Sequence, residues 1–217
     1  MPSFRRARQG EQKQERRVAI LAAAETLLAA AGLDAFAMGP LAQQAGIAKG
    51  TLYLYFETRE EVLLSLHAAH LERWCAAVTA ATRAGMGDAA FVAALLDASL
   101  ADPLFLELGG RLGTVLERNV SLERLVESKQ HMRGLLLPLA AHFERCLDLP
   151  PGTGLRALAG LSALMFGAAQ FEAGPSVDRD DVPTEVRGIA QAFACRGVFL
   201  DSAPALLAGL RLARPGA

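Results

Sequence analysis

Apolar residues recur at steps of three and four along most of the chain, and this period predicts helix almost everywhere. Ile20, Leu21, Ala24, Leu27, Leu28 and Ala31 share one face of a first helix, with Arg17, Glu25 and Ala29 turned outward and Gly32 as the stop. A short second helix is expected from Met38 or Gly39 to Ala45, where Pro40 is tolerated because the first turn leaves its N–H without an intrahelical partner anyway. Gly46 ends that helix. The chain then restarts as helix at once, since Leu52 and Phe56 stand at i and i+4 within Ala48 to Phe56. Thr58 with Glu61 three residues on forms a capping box for a fourth helix, which Val62, Leu63, Leu66, Leu71 and Trp74 carry to about Thr82.

Beyond the GMGD stretch the pattern predicts longer helices over about 88–101, 103–118, 121–148, 153–171, 184–197 and 203–213, with breaks at Pro, Gly or Asp. Pro150-Pro151-Gly152 is the sharpest corner, residues 173–183 have loop composition throughout, and no internal repeat is present. Hydrophobic residues make up 52% of the 217, mostly Ala and Leu, while β-branched and aromatic residues are sparse. That balance favours an all-α fold without a sheet.

Charge adds an asymmetry. The formal net charge is −1, yet residues 1–59 hold eight basic against five acidic groups, leaving +3 there and −4 in the remainder. A basic end on an acidic body suits a first part that meets a polyanion. Cys75, Cys146 and Cys195 are odd in number and far apart, so neither a disulfide framework nor a zinc cluster is implied, and a reducing compartment fits. Glu25 interrupts the apolar run after Arg16 and Arg17 too early for a secretory signal. The longest uncharged run elsewhere, Ala157 to Phe171, is shorter than the ~20 residues that span a bilayer. A cytoplasmic protein with no membrane partner is expected.

The stretch AGIAKGTLYLYF, residues 45–56, carries the candidate chemistry. Two short helices joined by a Gly turn, with polar residues gathered at the start of the second, fit a helix-turn-helix that lays its second helix in the major groove of duplex DNA. Lys49 and Thr51 can reach base edges or phosphates, Gly50 lets the backbone come close, and Tyr53 and Tyr55 offer hydroxyl donors to phosphate oxygens. Packing against the first helix is the competing use of the two tyrosines.

Over residues 16–70 the pattern AG-I-x-KGTLY-x-x-F, followed by T-[RK]-E-x-[VL]-[LF], resembles the DNA-binding signature of TetR-type transcriptional regulators. The resemblance implies an all-helical homodimer with an N-terminal three-helix DNA-binding domain and a larger helical domain for effector binding and dimerisation. It also implies a regulator, commonly a repressor, that binds a palindromic operator and is released by a small molecule. DNA contacts are carried onto Lys49, Gly50, Thr51, Tyr53, Tyr55 and Arg59, and the chain divides into a basic arm (1–13), the helix-turn-helix domain (14–59) and the effector domain (60–217). The chain departs from the family at Ala37, Gly39 and Ala48, where capping or phosphate-binding side chains are usual; Arg5, Arg6 and Arg8 of the arm can compensate. The segment DPLFLELGGRLGTVLERNVSLE and the closing LLAGL resemble one subgroup of the family.

The remaining candidates are weaker. His67 and His70 stand one turn apart, as metal ligands can, but without a completing carboxylate they read as helix-surface histidines. Glu123, Glu127 and His131 share a face that reads as solvated. No nucleophile elbow, Ser-His-Asp spacing or phosphate loop occurs, so no enzyme, no cofactor and no metal are expected. Pro138, with Gly134 at i−4, should kink the 121–148 helix and open a pocket, with Arg111, Glu117, Asn119 and His131 as candidate effector-binding residues. Gly160 and Gly167 flank Leu164 on a helix that the resemblance assigns to the dimer interface; an intramolecular core helix is the alternative. The competing function is an all-helical small-molecule carrier or interaction protein that keeps the helix-turn-helix as scaffold.

Overall fold

The computed structural model describes the backbone of residues 2–172 and 182–212 and the side chains of 11–171 and 182–212. Among these every regular element is helical: α1 (Pro2–Ala35), α2 (Met38–Gln44), α3 (Lys49–Tyr53), α4 (Arg59–Ala81), α5 (Asp88–Leu100), α6 (Pro103–Gly110), a π-helical turn (Leu112–Leu116), α7 (Leu122–Leu147), α8 (Gly154–Glu172), α9 (Thr184–Ala192) and α10 (Cys195–Leu212). The all-α expectation holds. The backbone is helical from Pro2, across the stretch read as an arm, while the side chains of Arg5, Arg6 and Arg8 lie outside the described residues. The 173–183 loop falls almost wholly outside them too.

The chain forms two compact units, Met1–Ala68 with Leu112–Ser128, and Ala69–Arg111 with Lys129–Ala217. This differs from the expected boundary at 59/60. Val62, Leu63 and Leu66 in the first turns of α4 are fully buried, so a boundary at the first residue of that helix would cut through core.

In the first unit Ile20, Ala24, Leu28, Leu33, Phe36, Leu41, Leu52 and Phe56 are buried and bring α1 to α4 round one apolar centre. Gly32 breaks α1 as expected, because its φ of 74° belongs to the left-handed region that glycine enters without penalty. Arg17 does not look outward; it is half-buried, for reasons the recognition segment makes plain below.

The second unit is built on a larger aromatic core. Trp74 stacks on Phe105 at 5.0 Å, and Phe91 meets Phe143 edge-on at 4.9 Å. Trp74 donates its indole N–H to Ser99 Oγ at 2.8 Å, and that hydroxyl passes its own proton to Leu95 O at 2.7 Å. His67 and His70 are buried rather than on the surface. His70 Nδ1 lies 2.5 Å from Asp102 Oδ2, and the other oxygen of Asp102 caps α6 through Phe105 N at 3.1 Å, which makes His70 a brace of the α5–α6 corner.

Two predicted boundaries moved. The helix expected over 103–118 stops at Gly110, where Gly109 and Gly110 admit Phe166 and Gln170 so closely that an added Cβ would lie 2.5 and 2.4 Å from them. The break expected before 203 lies instead at Phe193–Ala194, and the exposed Pro204 is carried inside α10. Pro138 is likewise inside a continuous α7, on an exposed face with open space round Gly134.

Glu144 caps α8 through Gly154 N at 2.7 Å, and an added Cβ on Gly154 would sit 2.1 Å from Ala140 O, so glycine sets the α7–α8 approach. All three cysteines are buried, and burial with Glu72 nearby pushes the Cys75 thiol up to about 11. Replacing Ser99 by Ala strands the buried Trp74 N–H, and we expect a loss of about 1–3 kcal/mol in denaturant unfolding, with Trp74→Phe in the same background recovering part of it.

Candidate nucleic-acid interface

The turn between α2 and α3 is set by glycine. Gly46 has φ of 64°, and around it Gly46 N bonds Gln43 O at 3.1 Å while Ile47 N bonds Ala42 O at 3.0 Å, the paired bonds of a Schellman stop. Neither α2 nor α3 has a side-chain N-cap, since Ala37 and Ala48 occupy those positions. α3 is five residues long, and its orientation comes from Leu52 and Phe56, both fully buried.

With those two facing inward, the polar set faces outward. Lys49 and Gly50 are exposed, Thr51 and Tyr55 are half-buried, and Tyr53 is 44% exposed. Between the tyrosines Leu54 is 75% exposed, an apolar side chain that the sequence reading left out of the site; no periodicity marks it, because it falls on the outer face only through the short helix ending at Tyr53. Arg59 is turned partly inward, donating to Phe36 O at 3.2 Å and pairing with Glu60 at 3.1 Å, so it also braces the α1–α2 corner.

Arg17 of α1 holds the end of the recognition segment from beneath. Its Nη1 donates to Tyr55 O at 3.0 Å, its Nη2 to Ser65 Oγ at 2.8 Å, and its guanidinium carbon lies 4.1 Å from the Phe56 ring centroid. Burial lowers its pKa and neighbouring Arg124 adds to this, while Glu61 and Glu127 oppose it. The capping box at α4 differs from expectation in one bond: Thr58 Oγ1 accepts from Glu61 N at 3.1 Å, but Glu61 Oε2 takes Glu57 N, at 2.8 Å, rather than the amide of Thr58. The carboxylate thus ties the loop before the cap.

An open groove of about 860 Å³ lies between α1 and the Leu54–Tyr55 corner. Gln12, Lys13, Glu15 and Arg16 line it from α1, and Lys13 and Arg16 are exposed. Only the fold brings these two cations into one groove with residue 55.

Of the four effector candidates, Arg111 lines a cavity of about 430 Å³ with Leu100, Pro103, Leu106, Glu107, Ala169 and Gln170. Glu117, Asn119 and His131 do not line that cavity, and Asn119 and His131 are exposed. On α8, Gly160 faces Leu206 of α10, whose Cδ1 would be 2.8 Å from an added Cβ; Leu164 packs half-buried on the core, and Gly167 is exposed in open space. Gly160 therefore serves packing within the chain.

Family models bear directly on this arrangement. Residues 20–66 match the model described as bacterial regulatory proteins of the tetR family, and residues 68–182 match that of the tetracyclin repressor-like C-terminal domain. The chain belongs to the TetR family. This TetR-family chain is a DNA-binding transcriptional regulator and not an enzyme. It is 39% identical over 56 residues to the fatty acid metabolism regulator protein of Bacillus subtilis (strain 168), an alignment covering 26% of this chain and 29% of that protein.

Solved structures share the fold. A TetR-family transcription regulator from Shewanella sp. PV-4 matches with a TM-score of 0.54 at 19% identity, over 88% of this chain and 95% of the other. A protein of unknown function from Rhodococcus sp. RHA1 also gives 0.54, at 22% identity over 90% and 95%. A TetR transcriptional regulator from Streptomyces coelicolor gives 0.50 at 21% identity over 91% and 98%.

Each phosphate contact contributes about one unit to the slope of log affinity against log salt. Lys13→Ala and Arg16→Ala should each flatten that slope by about one unit and weaken cognate and scrambled duplexes alike. Unchanged slopes in fluorescence anisotropy titrations would take the α1 groove out of the interface.

Proposed function

We propose that the protein is a homodimeric repressor that reads a palindromic operator and lets go of it when a small molecule binds the C-terminal unit. The observation that carries the DNA-reading part is the outward presentation of Lys49, Gly50, Thr51, Tyr53 and Tyr55 on α3 and the turn that follows it, anchored by the fully buried Leu52 and Phe56. Lys49 and Thr51 contact base edges, while Tyr53, Tyr55 and the remaining N–H donors of Arg59 bind phosphates.

Dimerisation is supported by a stripe on α8. Leu155, Ala159, Ala163, Gly167 and Phe171 follow one another at steps of four, and all five are exposed on an otherwise well-packed helix. On α10 the small residues Ala205, Ala208 and Gly209 are exposed as well. Two copies meeting on these faces form a four-helix contact and set two recognition helices one duplex turn, about 34–36 Å, apart.

The effector site is the cavity that Arg111 lines, where Leu100, Pro103 and Leu106 beside Glu107, Arg111 and Gln170 suit a small amphipathic molecule. A ligand there releases DNA by favouring a separation of the recognition helices that the operator does not match.

A cytoplasmic, membrane-free protein is part of this reading. By length and composition alone α1 from Glu11 to Ala35 and α8 from Gly154 to Phe171 are apolar enough to cross a membrane. Within these stretches Ile20, Ala24 and Leu28 of the first and Ala157, Leu158, Leu161 and Met165 of the second are buried in protein cores.

Two experiments test the proposal. Lys49→Ala should cost about 1–3 kcal/mol on the duplex recovered by selection from a random pool and relax preference at one base pair per half-site. Equal losses on cognate and scrambled DNA would reduce Lys49 to a phosphate contact. Ala163→Glu should turn the dimer into a monomer in sedimentation equilibrium and abolish tight binding to a two-half-site duplex, whereas a dimer surviving this charge would rule out the α8 stripe as the interface.

A further inference from the structure

One residue distant in sequence from the helix-turn-helix lies inside its polar network. Ser121 caps α7, accepting from Arg124 N at 3.3 Å, and the Arg124 side chain then does two things: Nη1 pairs with Glu127 at 2.9 Å, and Nε lies 3.9 Å from Glu61 Oε1. Glu61 is the carboxylate whose other oxygen receives the Glu57 amide, and its side chain is only 6% exposed. All of these residues belong to the first compact unit.

The segment that ends the recognition helix thus has two tethers. On one side Arg17 grips the Tyr55 carbonyl and, through Ser65, which donates to Glu61 O at 2.8 Å, reaches the α4 backbone. On the other side Glu61 grips the Glu57 amide. Two guanidinium groups, Arg17 and Arg124, therefore share the field of one buried carboxylate.

We propose that Arg124 is a positioning residue for DNA recognition: it holds the Glu61 carboxylate on the Glu57 amide, which fixes the α3–α4 corner and with it the presentation of Tyr53 and Tyr55. Arg124 is half-exposed and its ion pair long, so it adds little to global stability. Its effect is on geometry, where a small misplacement of a recognition element is enough to lose base contacts. The α7 start is by this account a working part of the DNA reader, about seventy residues beyond the recognition helix.

The inference rests on the DNA face assigned above. Its test uses the full chain, the selected duplex and a scrambled one, with Arg124→Glu, Arg124→Lys and Lys49→Ala side by side. Arg124→Glu sets a like charge against Glu61; it should lower cognate affinity about tenfold and reduce the cognate-to-scrambled ratio. The melting temperature should stay within about 2 °C. Hydrogen exchange at the Glu57 amide should speed up, the salt slope should not change, and Arg124→Lys should restore most of the affinity.

Wild-type affinity in Arg124→Glu overturns the proposal. A salt slope flattened by about one unit does so too, because Arg124 would then be a direct phosphate contact. If Lys49→Ala leaves the affinity for both duplexes unchanged, the DNA face itself is misassigned; if Lys49→Ala acts and Arg124→Glu does not, only the role of Arg124 fails.

Discussion

The recognition helix is too short to hold itself. Five residues close barely more than one turn, which is unfavourable in isolation, and neither it nor α2 has a side-chain N-cap to recover about 1 kcal/mol. Its existence therefore depends on burying Leu52 and Phe56, and its register on Arg17 reaching up to the Tyr55 carbonyl. Partly desolvating a guanidinium for this purpose is costly, and the cost is offset by two hydrogen bonds, a ring face and the nearby Glu61 carboxylate. The outward set is a consequence of the inward one.

The same dependence on tertiary partners recurs in the second unit. Asp102 caps α6 while holding His70, Glu144 from α7 caps α8, and Arg211 from α10 pairs with both oxygens of Asp88 at 2.7 Å and with Leu147 O at 2.6 Å, joining α5 to α10 and closing the end of α7. Helix ends that lack a local partner are satisfied across the fold. Groups that would suggest chemistry in a sequence, two histidines one turn apart among them, are spent on structure.

α4 and α7 each begin in the first compact unit and end in the second. Glu61 and Arg124, near the first ends of these two helices, lie 3.9 Å apart in the first unit.

Periodicity and turn chemistry were enough for the all-α class, for the stops at Gly32 and Gly46, and for the motif from Lys49 to Phe56, because these features are local and each residue states its own backbone preference. Local signals misplaced the ends of α6, α9 and α10. Glycines 109 and 110 look like ordinary helix residues until Phe166 and Gln170 press on them, and Pro138 and Pro204, which read locally as a kink and a break, are carried on the exposed faces of α7 and α10. The candidate site shows the same division: Lys49, Thr51 and the tyrosines were legible from spacing, whereas Leu54, the α1 groove, the inward turn of Arg17 and the place of Arg124 were not. Those depend on which face of one helix meets another across thirty or more residues of chain, and long-range contact leaves no period in the sequence.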